Sequence, residues 1–323
     1  PYHVWVSEIM LQQTRVAAVL GYYRRFMEAL PTVADLAQVE EDQLLKLWQG
    51  LGYYNRARNL QKAARQIMEQ FGGQFPRSYP DLLSLAGVGD YTAGAIASIA
   101  FGLPEPAVDG NVLRVVTRIT GDPSDISQAA TKKVIRAALA EVIPLQAPGD
   151  FNQALMELGA LVCLPNGAPD CAHCPAHGFC AAHLTGKTAQ IPVKGAKKPR
   201  KIEERTVYLL FHCGQVALRR RPAKGLLAGL WEFPNEVVGS AESAGWGLDL
   251  PQAEVCGAGR HIFTHREWHM TGKQLFLTNE TLPEGWVWAD EKAFCETYAV
   301  PNAFSAFLPA VEAYFAQWRG GLS

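Results

Sequence analysis

Apolar positions recur at helical spacing through the first half of the chain and alternate over short runs in its last third. In PTVADLAQVEEDQLLKLWQ, Thr32 is placed as a helix N-cap with Asp35 three residues on. Leu36, Val39, Leu44, Leu47 and Trp48 then follow at near-helical intervals, a pattern that fits two short helices. YYNRARNLQKAARQIMEQFGG predicts another helix, stopped by Gly72 and Gly73. Further on, RTVYLLFH, QVALRRR and KQLFLTN are β-type runs separated by turn residues, and NAFSAFLPAVEAYFAQW is a helical tail. An all-α domain therefore precedes an α+β domain, with no internal repeat.

A length of 323 residues agrees with two domains, and 48% hydrophobic residues is ample for two cores. No apolar run approaches the ~18 residues needed to cross a bilayer. The net charge of −1 points to no partner by itself, but its distribution marks a boundary. Residues 187–205, KTAQIPVKGAKKPRKIEER, carry 7 Lys/Arg against 2 Asp/Glu and few apolar side chains. That is the composition of a solvated linker, with a charge that could also touch a polyanion. The expected division is a helical domain over 1–186, a basic linker over 187–205 and an α+β domain over 206–323. The chain starts at Pro1 without a methionine and is expected to be a fragment lacking its natural start.

Seven cysteines, an odd number and mostly clustered, do not suit a secreted disulfide framework; a reduced cytosolic protein with one metal site fits better. Four of them lie in CLPNGAPDCAHCPAHGFC, as Cys163, Cys171, Cys174 and Cys180. One CxxC flanked by longer arms suits an iron–sulfur cluster, whose ligands span a wide perimeter. Zinc stays open, because His173, His177 and His183 are close by. Cys213, Cys256 and Cys295 are isolated and expected to be small core residues.

A different chemistry is suggested by LLSLAGVGDYTAGAIASIAFG, residues 82–102, where an apolar segment turns through Gly87-Val88-Gly89 and restarts as a helix. This is the sequence form of a helix-hairpin-helix, whose backbone N–H groups can approach a phosphate. Many ordinary helix connections also contain Gly-x-Gly. Eighteen residues after Tyr91, Asp109 precedes an apolar helix in FGLPEPAVDGNVLRVVTRI. It is either a plain N-cap or a carboxylate fixed beside the hairpin.

With the hairpin, the aspartate and the cysteine loop in this order, residues 1–186 resemble the endonuclease III superfamily of base-excision DNA glycosylases. PYHVWVSEIMLQQTRV, GLGYYNRARNL, GVGDYTAGAIASIAFG, VDGNVLRVVTR and FNQALMELGALVC resemble in particular the MutY-type adenine glycosylases, which remove adenine mispaired with 8-oxoguanine. GLLAGLWEFPNEVV resembles the domain these enzymes share with MutT-type nucleotide hydrolases. The resemblance implies a helix-hairpin-helix glycosylase domain with an iron–sulfur loop, followed by a MutT-like domain that recognises 8-oxoguanine.

The resemblance also assigns roles. Glu8, otherwise an ordinary solvated helix residue, becomes the general acid, and Asp109 the carboxylate facing the sugar. Tyr91 stands where strand-cleaving relatives carry lysine; a phenol forms no imine, so base removal without efficient strand cleavage is expected. Asn111 and Tyr91 position the carboxylates and water. Gln13 is the wedge that fills the gap left by the flipped base, with Thr14 and Leu51 nearby, and Tyr53 inserts beside the opposing base. Gly87, Gly89 and Thr92 belong to the DNA-gripping hairpin, and Gln153 to the adenine pocket. Phe263, Thr264 and His265 match the family's Phe-Ser-His loop, with threonine in place of serine. Cys163, Cys171, Cys174 and Cys180 would hold a [4Fe–4S] cluster, Asn166-Gly167 absorbing one extra residue in the first arm. An RxLPWR-like stretch that usually opens the family and helps line the adenine pocket is not among these residues. The carboxylate cluster of nucleotide hydrolases is missing from GSAESAGWGLDLPQAEV, so no nucleotide hydrolysis is expected. The implied partner is double-stranded DNA carrying A:8-oxoG or A:G mispairs, bound by a cytoplasmic monomer on chromosomal DNA. A lesion-binding protein without catalysis, or a glycosylase for mismatched thymine or oxidised pyrimidines, are the alternatives.

Overall fold

In the computed structural model, residues 1–195, 199–248 and 250–321 are described; positions 196–198 of the expected linker lie outside them. The chain divides into two units, one formed by Pro1–Gln38 and Arg58–Lys197, the other by Val39–Ala57 and Lys198–Ser323. A stretch from the helical half thus belongs with the C-terminal unit, a discontinuity to which linker composition is blind.

The first unit is helical, and its local signals are the ones its sequence carries. Thr32 Oγ1 accepts from the Asp35 backbone N–H, and Asp35 Oδ2 accepts from both Thr32 N–H and Thr32 Oγ1–H. This reciprocal cap, of a kind worth ~0.5–2 kcal/mol, opens the short helix Val33–Gln38. The helix Asn55–Gln70 ends where expected, with Gly72 and Gly73 left-handed and the Gly73 N–H returning to Ile67 O. The hairpin is formed by the helices Tyr79–Ser84 and Asp90–Ala95, the latter running into a π-helical turn, Ile96–Ala100. Trp5, Met10, Phe26 and Leu36 are fully buried in this unit.

The second unit is built on one mixed sheet of seven strands: β1 (Lys201–His212), β2 (Gln215–Arg220), β3 (Trp231–Glu232), β4 (Asn235–Val237), β5 (Glu254–Ile262), β6 (Arg266–Phe276) and β7 (Trp286–Ala289). The main order is β3-β2-β1-β6-β5, with β4 on β1 and β7 on β2. β1 and β6 pair in parallel from Lys201↔Arg266 to Phe211↔Phe276, which requires the long crossover between them. Phe211, Phe233, Trp268, Phe304 and Phe307 form the core beneath the sheet. The stretch 39–57 is pinned to this unit by Lys46 Nζ, which donates to Phe294 O (3.1 Å) and Tyr298 O (2.9 Å), and by Gln49 Nε2, which donates to Val300 O (2.8 Å). Between β4 and β5 the described residues form only the short 3₁₀ turns Glu242–Trp246 and Leu250–Gln252.

Of the three isolated cysteines, Cys256 packs against the core as expected, whereas Cys213 and Cys295 do not. Cys213 is exposed because it and Gly214 form the two-residue turn joining β1 to β2, both with positive φ (42° and 76°), a type I′ geometry. Cys295 is exposed on the helix Glu291–Glu296, and Cys256 is half-buried on β5.

Asn152 shows how the first unit fixes its loops. It is fully buried; its Oδ1 accepts from Ala107 N–H (3.0 Å), and its Nδ2 donates to Ser98 Oγ (2.8 Å) and Glu105 O (2.9 Å). The segment before Asp109 is thereby tied to the hairpin's π-turn. Asn152→Leu should destabilise the unit by about 2–4 kcal/mol, since it leaves buried backbone groups unpaired, as urea unfolding of the two proteins will register.

Candidate active site

The helix Tyr2–Leu11 buries Trp5, Val6, Ile9 and Met10, and carries Glu8 into the same interior. Its carboxyl, in a residue only 8% exposed, accepts a hydrogen bond at Oε2 from the Tyr91 hydroxyl. Tyr91 lies one residue into the second hairpin helix, so the turn at Gly87 (φ 73°) and the Gly89 cap aim the phenol at Glu8. Met156 Sδ lies 3.6 Å from the same hydroxyl. Burial pushes the Glu8 carboxyl above the usual carboxylate range, the Tyr91 hydrogen bond opposes that shift, and the charge of Asp109 reinforces it. The Tyr91 phenol is likewise pushed well up, first by burial and then by the charge of Glu8.

Asp109 is the N-cap of the helix Gly110–Thr120, the structural role expected of it. Its Oδ1 accepts from Asn111 N–H and Val112 N–H, both 2.8 Å, and its Oδ2 from Asn111 Nδ2 (2.9 Å). Asn111 is itself held, its Oδ1 accepting from Arg114 Nη2 (2.9 Å). The π-turn Leu158–Val162 packs here; a Cβ on Gly159 would lie 2.6 Å from that of Asn111, so only glycine permits the approach.

Arg114 and Arg118 were not singled out in the sequence, yet they join this helix to the cysteine loop. Arg114 donates to Gly159 O and Cys163 O, both 2.7 Å. Arg118 donates to Ile191 O (2.7 Å), Leu164 O (3.1 Å) and Cys163 Sγ (3.2 Å). Two arginines four apart in an otherwise apolar helix were the available signal.

Cys163, Cys171, Cys174 and Cys180 line one cavity with Arg118. Among the described residues, no three His, Cys, Asp or Glu side chains are gathered closely enough to hold a single metal ion. Four thiols around a shared space, with a buried guanidinium against one sulfur, have the donor chemistry of a larger anionic group with ligands on a wide perimeter. That donor set fits an iron–sulfur cluster. His173 pairs with Asp170 (2.9 Å), while His177, with Nδ1 2.9 Å from Cys174 O, and His183 line the same cavity as the cysteines. Gly167 takes the left-handed conformation expected of the Asn166-Gly167 turn.

The remaining candidates are distributed over both units. Gln13 is exposed with φ 59° between two helices, and the Thr14 hydroxyl donates to Gln12 O. Thr92 is buried, its Oγ1 3.4 Å from Gln12 Nε2, and Gln153 lies exposed on its helix, donating to Gly149 O. In the second unit Leu51 is buried and Tyr53 half-exposed, with the Tyr53 hydroxyl 3.3 Å from Thr264 Oγ1. Thr264 and His265 are exposed in the β5–β6 turn, and Phe263 packs edge-on against Trp268.

The family model of the HhH-GPD superfamily base excision DNA repair proteins matches residues 6–144, and that of the NUDIX domain residues 206–310. Human adenine DNA glycosylase is 35% identical over 364 aligned positions, covering 94% of this chain and 66% of that protein. The mouse adenine DNA glycosylase is 36% identical, covering 91% of this chain and 68% of that one. The chain belongs to the adenine DNA glycosylase family. It spans about two thirds of the length of these relatives. A solved thermostable thymine-DNA glycosylase, 28% identical, superposes with a TM-score of 0.52 over 57% of this chain and 85% of its own. The adenine glycosylase family and this structure agree on the architecture: a helical HhH-GPD region followed by a NUDIX-like domain with a mixed sheet. Among the described residues no helix is long and apolar enough to cross a membrane.

The Glu8 environment has a measurable thermodynamic signature. Its folded pKa is raised above the unfolded value, so its contribution to stability is complete below the unfolded pKa and is lost as pH rises through the folded one. Glu8→Gln keeps an acceptor for Tyr91 but cannot ionise. Above that range the variant should exceed the parent chain in stability by on the order of 1 kcal/mol, seen as melting curves that diverge with rising pH; parallel curves would show that folding does not oppose ionisation.

Proposed function

We propose that the chain is an adenine DNA glycosylase that removes adenine mispaired with 8-oxoguanine or guanine from double-stranded DNA, working as a monomer. The observation that carries this reading is the pair of unlike carboxyl groups: Glu8, buried and raised in pKa, and Asp109, held on a helix N-terminus by three donors. Two carboxyl groups with separate environments can divide acid and charge-stabilising work, as in glycoside hydrolysis.

The adenine anion is a poor leaving group. Protonated Glu8 donates its proton to a ring nitrogen of the flipped base, and the bonding pair of the sugar C1′–N bond leaves with adenine, now neutral. The sugar becomes oxocarbenium-like, and the Asp109 carboxylate stabilises that positive charge. Water adds at C1′ and its proton passes to the Glu8 carboxylate, restoring the acid. Asn111 fixes Asp109, and Tyr91 fixes Glu8. The raised phenol pKa keeps Tyr91 neutral, and with no lysine in its place the abasic strand stays intact until alkali cleaves it.

By family resemblance, Gln13, Thr14, Leu51 and Tyr53 act at the opened base pair, Gly87, Gly89 and Thr92 belong to the hairpin that grips the backbone, Gln153 contributes to the adenine pocket, and Phe263, Thr264 and His265 read 8-oxoguanine. Cys163, Cys171, Cys174 and Cys180 would hold a [4Fe–4S] cluster, which when bound would brace a loop against DNA.

Single-turnover incubation with duplexes holding A:8-oxoG, A:G and T:G tests the reaction. Adenine release from the first two, with strand scission only after hot alkali, is the expected result; binding without release, or thymine release, would replace this reading. Glu8→Gln should lower excision at least ~10³-fold while mismatch binding persists. The purified protein should be brown with broad visible absorption that is lost in Cys174→Ser; a colourless protein with stoichiometric zinc would refute the cluster.

A further inference from the structure

The turn Gly50-Leu51-Gly52-Tyr53 contains three left-handed residues: Gly50 (φ 106°), Gly52 (71°) and Tyr53 (48°). For a bulky aromatic this conformation costs ~1–3 kcal/mol, and it persists only where the surroundings over-determine it. Tyr53 is nonetheless 50% exposed, so packing of its ring in a core cannot supply the constraint. Several contacts hold the turn: Asn302 Nδ2 donates to Gly50 O (3.2 Å), Leu51 is buried, and Arg56 bridges its centre. Arg56 Nη2 donates to Leu51 O (3.0 Å) and to Gly52 O (3.1 Å), bridging consecutive carbonyls of the turn. The guanidinium lies 5.3 Å from the centre of the Trp48 ring and 5.7 Å from that of Tyr53. Trp48, fully buried, donates from its indole N–H to the same Gly52 carbonyl (3.1 Å). Burial lowers the guanidinium pKa to about 10, which leaves it charged at neutral pH.

We propose that Arg56 is a positioning residue for recognition of the base opposite the excised adenine, acting by fixing the strained turn and presenting the Tyr53 ring. The inference rests on the reading of Tyr53 given under the proposed function. Arg56 does the work through two linked contacts: its Nη2 bridges the Leu51 and Gly52 carbonyls and so closes the turn, and its charge orients the aromatic ring. Lysine could keep a charge near the ring but lacks the planar guanidinium that holds the bridging nitrogen against both carbonyls. The preference for 8-oxoguanine over guanine therefore depends on a side chain that need not touch DNA.

A double-mutant cycle tests this. The readout is the ratio of single-turnover excision of A:8-oxoG to A:G at sub-saturating protein, measured for the parent chain, Arg56→Met, Tyr53→Ala and the pair. Arg56→Met should lower the ratio ~10-fold, and should lower it no further in the Tyr53→Ala background. Arg56→Lys should fall between Met and the parent, and is scored by the same cycle if Arg56→Met does not fold, as judged by thermal melting. Additive losses, or equal losses on both duplexes with the ratio preserved, would mean a general structural role and overturn the proposal. A parent chain that excises adenine from neither duplex would overturn the proposed function instead.

Discussion

Placing a carboxyl group among the apolar side chains of the first helix constrains much else in the helical unit. Burying an ionised carboxylate costs several kcal/mol unless it is paired, and among the described residues no cation forms an ion pair with Glu8. The structure instead offers a phenol as donor and a second negative charge on Asp109, an arrangement that favours the protonated acid. Tyr91 is held neutral by the same low polarity and so remains a hydrogen-bond donor to Glu8. The hairpin turn, the Gly89 cap and the Asn152 tie to residues 105–107 then become means of holding two carboxyl groups in unlike surroundings.

The helix Gly110–Thr120 carries the second half of that requirement. Its N-terminus is closed by the Asp109 carboxylate, and its interior buries two arginines whose desolvation must be offset. Each finds backbone carbonyls: Gly159 and Cys163 for Arg114, Leu164 and Ile191 for Arg118. Charge-assisted bonds of this kind are stronger than neutral ones, so the cysteine loop and the Asp109 cap share one rigid support. Asn111 completes the connection, giving a bond to Asp109 and taking one from Arg114.

What could be read from the residues were the features set by near neighbours in the chain. The Thr32–Asp35 cap, the Gly72-Gly73 stop and the Asp109 cap each depend on contacts within a few positions, and each formed. Family motifs extended that reach to Glu8 and Tyr91, which lie together despite a separation of 83 residues. Long-range choices with no local signature stayed hidden. Nothing in PTVADLAQVEEDQLLKLWQ announces that residues from Val39 onward belong with the sheet, because the bonds deciding it come from carbonyls at 294, 298 and 300. The parallel β1–β6 pairing was equally silent, as alternation specifies a strand but not its neighbour. The exposed Cys213 shows the reverse error: composition favours burial, while a two-residue turn needing positive φ overrides it.

The two clusters use different physical resources, and this explains why their supports differ. At Glu8 the resource is low polarity, which alters proton affinity and so must be enclosed by side chains from several helices. At Tyr53 it is backbone conformation, which places a half-exposed ring at a defined angle and is enforced by bonds to the turn's carbonyls from Arg56, Trp48 and Asn302. A buried acid tolerates small shifts of its neighbours as long as water stays out. A strained turn does not, because relaxing one φ angle moves the whole ring. Arg56 holds the Leu51 and Gly52 carbonyls, and the tyrosine hydroxyl lies 3.3 Å from Thr264 Oγ1. That contact joins the turn to the β5–β6 connection.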